Sequence, residues 1–169
     1  MPKKGDILFI KTYDFVGPII QKFTHCDFNH VAIFIDENTV VEARPSGIKK
    51  TAWADYMARY KKHQVQYAVG EVKDITSDSI DKMINFVVSK IGKGYDFLQV
   101  TTIAIWMLMG WYTKYPLADV KWAWSCSELV AEAIKQGSGL EVKQTKDPNV
   151  SPADIYRSEY IRLLYTSII

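Results

Sequence analysis

Apolar and polar positions along the chain fall into two periods, one of strands and one of helices. Asp6-Ile7-Leu8-Phe9-Ile10, introduced by Gly5, is a continuous apolar run and predicts a buried strand. Val16 to Phe23 has helical spacing, with Pro18 in its first turn, and predicts a short helix. His30-Val31-Ala32-Ile33-Phe34-Ile35 is rich in β-branched residues and predicts a second strand. Asp36-Glu37-Asn38 is turn chemistry, so Thr39 to Ala43 returns as its antiparallel partner. Gly47 to Lys50 continues extended, Thr51 to Tyr60 reads as helix, and Val65 to Val72 as strand. Ser77 caps an amphipathic helix with the stripe Ile80, Ile84, Val87, Val88 and Ile91, closed by Gly92.

A turn, Gly92 to Asp96, precedes the apolar run Phe97 to Tyr112, which is 16 residues long. A bilayer span needs roughly 20 apolar residues, so this run reads first as a buried core helix. A surface that touches lipid or a greasy substrate is the second reading. Ser125 and Glu128 form a capping box that opens another helix, and Gly137-Ser138-Gly139 reads as the loop after it. Ser151-Pro152-Ala153-Asp154 is a second capping box, followed by a short helix and a strand from Tyr160 to Tyr165. Mixed strands and helices with an early hairpin predict an α+β fold, in one domain over residues 1–169.

Composition narrows the function. Of 169 residues 48% are hydrophobic, enough for a sizeable core. The net charge of +2 comes from 21 basic and 19 acidic residues without any basic run, so nucleic acid is not an expected partner. The N-terminus leads directly into a strand with no secretory signal, and a cytoplasmic location with reduced thiols is expected. Cys26 and Cys126 lack zinc-type spacing; neither a metal nor a cofactor is expected.

The capping box places Cys126 at the first helical position, with Leu129, Val130 and Ala133 seating the helix on a core. Unpaired amides and the positive end of the helix dipole favour thiolate there, and the same amides can donate to an oxyanion. A cysteine that only packs is the plainer alternative. A nucleophilic thiol needs a base. His63 lies in a polar surface stretch, and His25 stands beside Cys26 with too few neighbours for a zinc site. His30, at the first position of a strand, is the chosen base. A three-residue loop Asp36-Glu37-Asn38 would set Ala32 opposite Glu42. That puts Glu42 diagonal to His30 on one face, whereas a two-residue turn would send it to the other. A glutamate inside Val40-Val41-Glu42-Ala43 is buried only if paired, and an imidazolium is a suitable partner; a strand-edge glutamate facing water is the alternative.

Together these residues resemble the circularly permuted papain-like amidohydrolases, related to NlpC-type peptidoglycan endopeptidases and lecithin:retinol acyltransferase-like proteins. In that branch the histidine strand precedes the cysteine helix, as here. The resemblance is carried by Gly5-Asp6-Ile7-Leu8, Asn29-His30-Val31-Ala32, Val41-Glu42-Ala43-Arg44-Pro45 with Gly47-Ile48, Gly94-Tyr95-Asp96, Ser125-Cys126-Ser127-Glu128-Leu129-Val130 and Ser151-Pro152-Ala153-Asp154. Relatives often carry a glycine shortly after the histidine, where this chain has Val31-Ala32. Lys114 to Trp124, with the apolar run before it, resembles an insertion.

The resemblance implies Cys126 as nucleophile, His30 as base and Glu42 as orienter, with a small barrel-like antiparallel sheet against the cysteine helix. The reaction it implies is hydrolysis of a peptide or small amide through a thioester on Cys126. Transfer of a lipid-like acyl group, with lipid contact through residues 97–112, or a silent binding module, are the alternatives. The Cys126 amide is the natural first oxyanion donor; the Tyr95 hydroxyl is a candidate for the second and for substrate contact.

Overall fold

A computed structural model describes residues 1–13, 17–93, 125–142 and 150–169. Six strands, β1 (Ile7–Ile10), β2 (His30–Asp36), β3 (Thr39–Arg44), β4 (Gly47–Ala52), β5 (Gln66–Val72) and β6 (Ile161–Ile168), form one antiparallel sheet. Their order is β4-β3-β2-β1-β5-β6. Helices α1 (Gly17–Thr24), α2 (Trp53–Tyr60), α3 (Ser77–Ser89), α4 (Cys126–Ser138) and α5 (Pro152–Tyr156) complete the expected α+β order. β1 is central and buried along its whole length, which is why its sequence is continuously apolar.

Alternation sorts each strand between two cores. Ile7, Phe9, Val31, Ile33, Val41 and Ala43 pack with Met83, Val87, Leu129, Val130 and Ala133 of α3 and α4. Leu8, Ile10, Ala32, Phe34 and Val40 pack on the opposite face with Tyr56, and Trp53, Met57 and Tyr60 of α2 close over them. The first core includes Cys126, and the face of Ala32 and Phe34 is the one that carries His30.

The β2–β3 hairpin reaches the expected register by a different route. Asp36 pairs with Thr39 across the two-residue turn Glu37-Asn38, but Phe34 pairs with Val40 and Ile33 with Val41. Ile35 is the extra residue, a β-bulge on one strand. The bulge restores the parity that a two-residue turn alone would have lost, so Glu42 falls on the face of Ala32 and His30.

Other boundaries shift for identifiable reasons. Thr51 is in β4, paired with Val40, and α2 begins only at Trp53. Thr76 caps α3 in place of Ser77, its hydroxyl accepting from the Ser79 amide at 3.1 Å. Gly137 lies inside α4, which Gly139 ends in a left-handed conformation. A Cβ on Gly137 would overlap the Met83 side chain and approach the Ser79 carbonyl to 2.5 Å, so that glycine serves the close packing of α4 on α3. The turn Gly94-Tyr95-Asp96, the run 97–112 and the segment 114–124 lie outside the described residues. Among the described residues no helix is long and apolar enough to cross a membrane.

Candidate active site

Asn29 fixes where β2 begins. It is buried, its side-chain oxygen accepts from the Thr12 amide at 2.7 Å and hydroxyl at 3.1 Å, and its side-chain amide donates to the Thr12 carbonyl at 2.9 Å. Its own backbone amide donates to the Ile10 carbonyl at 3.2 Å. An asparagine side chain thus continues the β1–β2 ladder past its last pair, Ile10 with His30. His30 leaves this clamp at the end of the strand, where the two faces of the sheet meet.

Glu42 is where the sequence register places it, on the face of His30, and its side chain has no solvent exposure. His30 Nε2 lies 3.0 Å from Glu42 Oε2. The other carboxylate oxygen accepts from the Thr51 hydroxyl at 3.1 Å and from Arg59 Nη1 at 3.1 Å, and Arg44 Nε stands 3.8 Å from it. The Arg59 guanidinium is held over the rings of Tyr56 and Tyr60 at 5.4 and 5.8 Å. The sequence pointed to an imidazolium as partner for the buried charge. It missed Thr51, Arg59 and Arg44, which arrive from a third strand, from α2 and from further along β3. The only sequence signal for Thr51 and Arg44 is their parity with Glu42 along paired strands.

The Cys126 sulfur lies close enough to His30 to act on the imidazole. Since Nε2 is engaged by Glu42, Nδ1 is the ring nitrogen left for another partner. Burial alone would push the imidazole down, but charge and hydrogen bonds from Cys126 and then Glu42 hold its pKa well above the usual 6.5. For Glu42 burial works upward. Hydrogen bonding and charge from His30, with Arg44 and Arg59 behind, win and lower its pKa to about 2. A carboxylate so held stays ionised and accepts a hydrogen bond from Nε2–H, which orients the ring and favours its charged form.

Cys126 opens α4 behind a complete capping box: Ser125 Oγ accepts from the Glu128 amide at 3.2 Å and Glu128 Oε2 from the Ser125 amide at 2.9 Å. This leaves the Cys126 and Ser127 amides without an intrahelical partner, as first-turn amides are. The Ser127 hydroxyl donates to the Val150 carbonyl at 2.5 Å and ties the helix start to the segment before α5. Of the other histidines, His25 has positive φ and an exposed side chain, with its carbonyl bound by Arg157. His63 is exposed against Tyr13. Tyr95 lies outside the described residues.

The chain as a whole has counterparts among known proteins. A family model described as the permuted papain-like amidase enzyme, YaeF/YiiX, C92 family, matches residues 1–105. The chain belongs to this family. The matched span takes in His30 and Glu42, while Cys126 lies past its end. The chain is 26% identical over 176 residues to the probable lipoprotein peptidase YaeF of Escherichia coli (strain K12), a match covering 90% of this chain and 62% of that protein. It therefore spans less than two thirds of that relative's length. The crystal structure of metalloprotein YiiX from Escherichia coli O157:H7 shares the fold, with a TM-score of 0.71, 19% identity and 97% of both chains covered. Among the described residues of this chain no three His, Cys, Asp or Glu side chains are grouped to hold a metal ion.

Proposed function

We propose that this member of the amidase family is a cysteine-dependent amidase of peptides or small amides, with Cys126 as nucleophile, His30 as general base and Glu42 as its orienter. What supports the reading is an imidazole 3.0 Å from a buried carboxylate and close enough to the Cys126 sulfur, at a helix start, to be acted on by it. His30 takes the thiol proton, and the sulfur attacks the amide carbonyl. The Cys126 amide donates to the oxyanion. The C–N bond then breaks as the imidazolium protonates the leaving amine. Water, deprotonated by the same imidazole, hydrolyses the thioester and restores the thiol. The name of the relative YaeF, a probable lipoprotein peptidase, points toward peptide substrates.

The experiment is intact-mass trapping with a panel of N-acyl amino acid amides and short peptides, quenched in acid. An acyl adduct mapped to Cys126 and absent from Cys126→Ala supports the reading. Turnover retained by Cys126→Ala, or adducts mapped elsewhere, would sink it.

A further inference from the structure

His30 and Glu42 meet across a place where the sheet is not closed. β3 is paired with β4 along its whole length, from Thr39–Ala52 to Arg44–Gly47, which holds Glu42 from its outer side. β2 is paired with β1 down to its first residue, Ile10 with His30. Between β2 and β3 the ladder runs from Asp36–Thr39 through Phe34–Val40 to Ile33–Val41, and among the described residues no pair follows. The end of β2 nearest the site, His30 to Ala32, is therefore held by strand pairing on the β1 side alone. Across the open side the contact is made by side chains, His30 Nε2 to Glu42 Oε2 at 3.0 Å.

β1 itself ends at Ile10, and the next amide, that of Lys11, goes to the Gln66 carbonyl on the β5 side. Past the Ile10–His30 pair the carboxamide of Asn29 stands in for a peptide group. Its oxygen accepts from the Thr12 amide at 2.7 Å and its nitrogen donates to the Thr12 carbonyl at 2.9 Å, the two bonds that a paired strand residue would exchange. The oxygen accepts a second bond from the Thr12 hydroxyl at 3.1 Å. Asn29 and Thr12 are 4% and 6% exposed, so water offers these groups little replacement. The Asn29 amide also donates to the Ile10 carbonyl at 3.2 Å. One residue is thus both the covalent neighbour of the imidazole-bearing residue and the last anchor of its strand. An asparagine has the acceptor and the donor in one plane at this length; an aspartate lacks the donor.

We propose that Asn29, through its grip on Thr12, is a positioning residue for the reaction: it sets the end of β2 from the β1 side and so keeps the His30 ring on Glu42 and near the Cys126 sulfur. This rests on the reading of Cys126 and His30 above. The body of β2 has other support, since Val31 and Ile33 pack into one core and Ala32 and Phe34 into the other. Loss of the clamp therefore leaves the fold in place and frees the strand end. A displacement of about 1 Å at a reacting group costs roughly a hundredfold in rate.

Two measurements on the full chain test this: the rate of Cys126 alkylation by iodoacetamide at pH 6, followed by peptide mapping, and the NMR titration of the 15N-labelled His30 ring. In Asn29→Asp the side chain still accepts from Thr12, but the donor to its carbonyl is lost. Two effects then oppose each other at His30. The new charge nearby raises its pKa, whereas displacement from Glu42 lowers it. The expected result is a fall in the His30 pKa and an alkylation rate about tenfold lower or more, in protein that is folded by circular dichroism. Asn29→Ala is expected to do the same without the opposing charge. A His30 pKa that holds or rises in Asn29→Asp, or a rate at the wild-type level, overturns the positioning role, because a residue that serves stability alone lowers the unfolding midpoint and moves neither.

If both variants fail to fold, Thr12→Val carries the test. It removes only the hydroxyl bond and is expected to slow alkylation about threefold; an unchanged rate overturns the proposal. In the wild type, failure of iodoacetamide to label Cys126 faster than Cys26 overturns the catalytic reading instead, and the His30 titration still reports on Asn29.

Discussion

His30 Nε2 and Glu42 Oε2 lie 3.0 Å apart, joining the first residue of one strand to the fourth residue of the next. In Glu42→Gln that contact loses its charge. The His30 pKa is then expected to fall toward its ordinary value, moving the alkaline limb of the pH–rate profile to lower pH. Under the proposed mechanism kcat/KM falls by roughly a hundredfold, less than in His30→Ala, because orientation is impaired and proton transfer is not abolished. A titration of the His30 ring signals by NMR, alongside the rate profile, measures both effects.

The same pair makes stability depend on pH in two directions. Glu42 is lowered from 4.5 to about 2, so its contribution is complete above 4.5 and fades as pH falls toward 2. His30 is raised above 6.5, so its contribution is complete below 6.5 and fades as pH rises through the folded value. Thermal unfolding across pH is expected to show the largest gap between wild type and Glu42→Gln from about 4.5 to 6.5, narrowing on both sides.

Arg59 holds one oxygen of Glu42 so that the other meets the imidazole. Arg59→Met removes a charged hydrogen bond and a cation near His30; the His30 pKa is expected to rise further, and kcat to drop roughly tenfold with KM little changed. Arg59→Lys restores the charge without the fork and recovers part of the loss. A fall in KM-linked binding with kcat intact would count against this role.

Gly137→Ala pits two effects against each other. Alanine gains about 1 kcal/mol in helix propensity. The new methyl meets the Met83 side chain, which can turn aside, and the Ser79 carbonyl at 2.5 Å, which cannot move without its helix. Overpacking of this kind costs about 1–3 kcal/mol. A lower urea midpoint is expected, with activity per folded molecule kept.

The site was half legible from sequence. Alternation along β2 and β3 placed His30 and Glu42 on one face, and the capping box put Cys126 at a helix start, because both are local patterns with a fixed period. Thr51, Arg59 and Arg44 were not legible as partners of Glu42. Thr51 read as helix, and the docking of α2 over the sheet is a tertiary event that no local period encodes. Gly137 read as loop because a glycine needed for close helix packing looks the same in sequence as one needed for a turn. The turn itself was misread as three residues, and the error was harmless because Ile35 supplies the extra one from within the strand.

That displaced residue gives the hairpin an unusual sensitivity. Most surface tips absorb the loss of an amino acid as a change of reach, since their ends can slide. Were Ile35 instead drawn into the ladder opposite Val40, every pair beyond it would shift by one and Glu42 would stand opposite Ile33, on the other face. The carboxylate would then face the α3–α4 layer while the imidazole stayed where it is. A single displaced residue in this hairpin is therefore as strict a requirement for the His30–Glu42 contact as the identity of the two side chains.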